Sequence, residues 1–94
     1  MLVEIKKLNI VNEGYNRKIF LDKIYINSDK IVSITDYEGA ENFLLTEQSK
    51  FSNQKFSLVR VGYGDKTEDI IAFGSAEQIF SSLQNKAGKQ VLHD

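Results

Sequence analysis

A chain of 94 residues with 41% apolar and 27% charged side chains has room for one modest hydrophobic core, which excludes both a multidomain assembly and an intrinsically disordered polymer. Twelve Lys and Arg against thirteen Asp and Glu leave a formal charge of −1 and a pI near 5.8, without the basic excess of a typical nucleic-acid-binding domain. The absence of cysteine excludes disulfides and thiolate metal sites, and no run of about 18 apolar residues offers a membrane span.

The first segment, LVEIKKLNIV, alternates at Val3 and Ile5 and then shifts phase to Leu8 and Ile10 across Lys6-Lys7. Such a shift predicts either a β-bulge or a strand that passes between sheet faces. Glu4 and the two lysines also deny this region the continuous apolar stretch of a signal peptide, so a cytoplasmic protein is the expectation. NEGYN (12–16) is a loop in which Gly14 can take positive φ. KIFLDKIYIN carries Phe20, Ile24 and Ile26 on one phase and Ile19, Leu21 and Tyr25 on the other, which predicts a central or twice-covered strand.

NSDK (27–30) reads as a turn, and IVSITDY then predicts a strand with Val32 and Ile34 inward and Ser33 and Thr35 outward. EGAEN (38–42) predicts another turn, FLLT (43–46) a brief strand and EQSKFSNQK (47–55) a loop. FSLVRVGY, with Val59, Val61 and Tyr63 on one face, and DIIAF (69–73) are joined by GDKTE, the signature of a hairpin. Ser75 and Gln78 form a capping-box pattern, and Ala76, Ile79, Phe80 and Leu83 then recur with helical spacing. Lys86 suits a helix C-terminus and Gly88 can end the helix, which leaves one domain over 1–88 and a flexible tail over 89–94.

Several chemistries fail on context. VGYGD (61–65) resembles a potassium-channel filter, yet the chain has no spanning segment to hold one. Gly62 and Gly64 make a lone G-x-G followed by a strand rather than a helix, so no helix N-terminus is there to receive a phosphate. Asp65, Glu68 and Asp69 are carboxylates in a wet turn and lack the spacing of a calcium loop. His93 is the only histidine, and no Lys, Tyr, Asp or Glu falls into a catalytic motif. The expectation is a non-enzymatic protein with no catalytic residue, no metal and no cofactor.

Two resemblances can be stated. The order KKLN … INSDKIVSI … IIAFGSAEQIFSSL resembles the FlbD family of small flagellar proteins and its phage-associated relatives, over Val3–Asn9 and then, with gaps, Asn27–Leu83. IYINSDKIVSITDYEG is similar to the strand pair of LytTR DNA-binding domains. Neither resemblance brings an invariant chemical residue, so no site is carried over from it.

These readings converge on an α+β domain, mostly β: a bent antiparallel sheet or small open barrel of five to six strands with a helix over about 75–86. Its expected role is a protein-interaction or regulatory accessory module of bacterial or phage origin, with self-association as a natural use of uncovered sheet edges. The candidate partner contacts are Tyr15, Arg17, Lys18 and Tyr63. A nucleic-acid-binding alternative would use Arg17, Lys18 and Lys23, and a small-molecule-binding domain is the third reading.

Overall fold

Two Gly-X turns organise the sheet. In the computed structural model, which describes residues 1–39 and 54–93 (85–93 as backbone alone), β1 (Leu2–Glu13) and β2 (Asn16–Asn27) are joined by Gly14-Tyr15. β4 (Phe56–Tyr63) and β5 (Lys66–Phe73) are joined in the same way by Gly64-Asp65. Gly14 and Gly64 have φ of 61° and 64°, and no non-glycine residue described has positive φ. A positive φ at the first loop residue only is the requirement of a type II′ turn, whose twist matches that of the flanking strands.

β3 (Ile31–Asp36) follows β2 through a single 3-10 turn, Ser28–Lys30, which the Asn27 side chain caps by accepting the Asp29 N–H at 3.0 Å. The five strands form one antiparallel sheet in the order β2-β1-β5-β4-β3. Among the described residues β2 and β3 are therefore its two edges, and the sheet they bound is open rather than a closed barrel. α1 (Ala76–His93) follows β5. The fold is thus α+β and mostly β, as the patterning predicts. Among the described residues no helix is long and apolar enough to cross a membrane.

The phase shift in β1 has a cause other than a bulge. β1 and β2 pair without interruption from Leu2↔Asn27 to Glu13↔Asn16, whereas β1 meets β5 in register only at Lys7↔Ala72. Before that crossing, Val3, Ile5 and Ile26 join Val59, Val61, Ile70 and Ala72 in a core under Ile79 and Leu83 of α1. Beyond it, Leu8 and Ile19 pack with Phe56, against Leu21, Ile71 and Phe73. Val3 and Leu8 have opposite parity along the strand, so these two cores lie on opposite faces of the same ribbon. The same switch explains why β2 carries apolar residues on both phases. Of the two readings, central or twice-covered, it is an edge strand that meets one core on each face, Ile24 and Ile26 on one and Ile19 and Leu21 on the other.

Two further expectations are corrected. α1 runs to His93, beyond the end near Lys86 and Gly88 that the spacing predicts. A single glycine costs a helix only about 1 kcal/mol, and no proline follows to enforce a stop. β3 contains a register shift between Ile31 and Ser33, so that Ile31 and Ile34 both pack towards the core while Val32 is 63% exposed. Strict alternation places Val32 inside; the extra residue of a bulge turns it out. The predicted strand at 43–46 and most of the adjoining predicted turn and loop lie outside the described residues.

Candidate functional site

The expected contact residues fall at two hairpin tips. Because β1 and β4 both run antiparallel to β5, the Gly14-Tyr15 and Gly64-Asp65 turns point to the same end of the sheet. Tyr15 is fully exposed at the first tip, and Tyr63 is half exposed at the second, although Val59 and Val61 on the same strand are wholly buried. Tyr63 has passed the end of the core, so its face no longer has a covering layer.

The cations do not gather into one patch. Arg17 stands opposite Asn12 and Lys18 opposite Val11, on alternate faces of the ribbon, and Lys18 Nζ lies 5.8 Å from the centre of the Phe20 ring. Lys23 is further along β2, opposite Lys6, with its Nζ 3.4 Å from Glu4. By parity Arg17 and Lys23 share one face of the ribbon, six residues apart, and Lys18 lies on the other, so the three do not form a single cluster.

The acidic turn is also committed elsewhere. Arg60 Nε donates to Asp69 Oδ1 at 2.9 Å and its terminal nitrogen to Oδ2 at 3.3 Å. This two-pronged hydrogen bond holds the Asp69 carboxyl below the usual carboxylate range and raises the Arg60 guanidinium. Asp69 is thereby withdrawn from any cluster with Asp65 and Glu68. Among the described residues, no group of three His, Cys, Asp or Glu side chains is placed to hold a metal ion.

A different surface is more developed, and it begins with how α1 is anchored. Gln78 N–H donates to Ser75 Oγ at 3.2 Å and Ser75 N–H to Gln78 Oε1 at 2.9 Å, completing the capping box. Ala76 N–H donates to Asp36 Oδ1 at 2.9 Å, which places a carboxylate of β3 at the positive end of the helix. Gly74, at φ 109°, makes the turn from β5 into this start. The two capping-box bonds thus fix the first turn of α1, and the bond from Ala76 to Asp36 fastens that turn to the edge strand.

The helix covers β3 only in part. Ile79 and Leu83 reach the core, but Phe80 remains 52% exposed. Between helix and strand runs a mainly apolar groove of about 610 Å³, lined by Ile31, Val32, Ser33 and Ile34 from β3 and by Ala76, Phe80 and Leu83 from α1, with Glu77 as the one charged side chain among the described residues of its lining. Gly62 of β4 belongs to this arrangement. A Cβ there would lie 3.3 Å from Val32 Cγ2, so the glycine gives room to the bulged residue rather than serving the hairpin turn. Along the outer side of the groove lies an edge of β3 that pairs with no other strand among the described residues, and it has no charged side chain from Ile31 to Thr35. The other edge, β2, carries Arg17, Lys18, Asp22 and Lys23.

Sequence reasoning overlooks Val32 and Phe80 as surface residues because periodicity assigns both inward. A signal was present in each case. Ile79 and Phe80 together make the helical stripe wider than one narrow contact, and five successive uncharged residues, Ile31 to Thr35, are unusual at a sheet edge. No family model, curated protein or solved structure matches the chain.

Proposed function

We propose that this protein is a non-enzymatic interaction module that accepts an extended segment of a protein partner along the free edge of β3. The observation that carries the reading is the charge-free stretch of edge from Ile31 to Thr35, bordered by a mainly apolar groove. Edge strands usually bear lysine, proline or covering elements because their free N–H and C=O groups invite pairing with another chain. Here the described residues leave that edge uncovered and set Val32 and Phe80 beside it. Main-chain hydrogen bonds would supply the pairing, and the groove would receive alternate side chains of the added strand.

The partner segment should therefore be extended, alternately apolar and low in charge. Selection of a displayed random-peptide library on the purified protein tests this. Peptides of that pattern should be enriched, and their binding should be lost with Val32→Lys, which places a charge in the groove without touching the core. Failure to enrich such peptides, or binding indifferent to Val32→Lys, would remove the proposal.

A further inference from the structure

We infer that the strand received at this edge is β3 of a second copy of the same chain, joined about a two-fold axis near Ser33 and Ile34. This inference rests on the strand-addition reading above and names its partner. The argument begins with geometry. Two edge strands that pair antiparallel about an axis perpendicular to the sheet continue it into ten strands and keep equivalent faces on the same side. Both α1 helices then lie on one face, at either side of the joint, with their grooves facing each other.

The patch is self-complementary in shape. It holds a hollow, the groove of about 610 Å³, and beside it two projecting apolar side chains, Phe80 at 52% and Val32 at 63% exposure. An isologous contact requires both features on one surface, because every residue meets the same surface on its partner. The absence of charge from Ile31 to Thr35 means that self-pairing brings no like charges together along the strands, and Glu77 of α1 is the one charge among the described residues lining the groove beside them.

Area decides whether the strand suffices. A stable pair buries about 800 Å² from each partner, on the order of a tenth of the 6700 Å² exposed by this chain. A six-residue edge is only about 20 Å long in a sheet about 10 Å thick, so it offers roughly 200 Å². The remainder must come from the groove and the exposed side of α1, and Phe80 is therefore part of the joint.

The chain's lack of cysteine makes the test clean. Sedimentation equilibrium of the full chain over a wide concentration series should show a monomer–dimer equilibrium. Val32→Lys should abolish the dimer, and Phe80→Ala should weaken it roughly tenfold or more, since a truncated apolar anchor commonly costs that much. Circular dichroism should show both variants folded. Ser33→Cys should form disulfide-linked dimers under mild oxidation, whereas Tyr63→Cys at the hairpin tip should not.

A monomer at every concentration, or a dimer indifferent to both Val32→Lys and Ser33→Cys, overturns the inference. If the chain stays monomeric while selected peptides bind in a manner sensitive to Val32→Lys, the second-copy inference alone fails. If neither occurs, the strand-addition reading fails with it.

Discussion

The two hairpins differ in a way that separates pairing from anchoring. β1–β2 is the longer, with twelve residue pairs in register against eight for β4–β5. Yet β4–β5 has a strand on either side, β1 beyond β5 and β3 beyond β4. It buries Val59, Val61, Ile70 and Ala72 on one face and Phe56 on the other. β1–β2 is joined to the rest of the sheet through one registered pair, and from Ile10 to Lys18 every side chain is exposed. Ladder hydrogen bonds are exchanged against bonds to water and contribute modestly, whereas removal of apolar area from water scales with what covers it. The short hairpin should therefore act as the foundation of the fold and the long one as an arm, rooted at Leu8 and Ile19.

The most severe challenge to this contrast is Phe56→Ala. Phe56 is 4% exposed and packs edge-on against Phe73, with ring centres 5.8 Å apart. Its truncation should cost about 3–5 kcal/mol, read from the denaturant midpoint at unchanged slope. A loss below about 1 kcal/mol would mean that the β4–β5 face is not the foundation.

A sharper comparison uses one registered pair of the arm. Ile10 and Ile19 stand opposite each other, but Ile19 is 2% exposed and Ile10 44%. Ile19→Ala should cost about 2–4 kcal/mol, whereas Ile10→Ala should stay within about 0.5 kcal/mol. Equal costs would mean that the arm is stabilised by pairing rather than by its root.

Ser57 offers a change of opposite sign. It is fully buried in β4, and its hydroxyl has no hydrogen-bond partner among the described residues. Ser57→Ala should raise stability by about 1 kcal/mol, because it removes a desolvated polar group and leaves only a small void. A loss of similar size would show that the hydroxyl is satisfied after all.

The smallest effect concerns the Arg60–Asp69 pair across β4 and β5. Arg60 holds the Asp69 carboxyl lower in the folded chain than in the unfolded one, so the pair contributes fully above the ordinary carboxylate pKa. That contribution falls away as the pH drops through the depressed folded value. The melting-temperature difference between the native chain and Asp69→Asn should be small and positive at neutral pH and vanish in acid. Both side chains are more than 40% exposed, and salt should reduce the difference further.

Much of this architecture was legible in the chain. Gly14 and Gly64 marked their turns because only glycine enters positive φ without a steric penalty. Ser75 and Gln78 marked the helix start because their reciprocal bonds depend on residues three apart and nothing distant. The shared face of Val59, Val61 and Tyr63 marked the strand that leads into the second hairpin turn. These are local signals, written within a few residues of the structure they dictate.

What needed tertiary structure was every statement about which face has a cover. The phase shift at Lys6-Lys7 admitted two explanations, and only the crossing at Lys7↔Ala72 shows that the ribbon exchanges one core for another. The two-phase pattern of β2 admitted a central or a twice-covered strand, and only strand order and packing show an edge strand with a different core on each face. Val32 and Phe80 shared their periodicity with core residues and yet face outward, one by a bulge and the other because β3 ends the sheet beneath the helix. Periodicity reports which side chains share a side; whether that side meets protein or water depends on elements distant in the chain. The groove beside β3 arises from that distinction, and so could not be read from spacing alone.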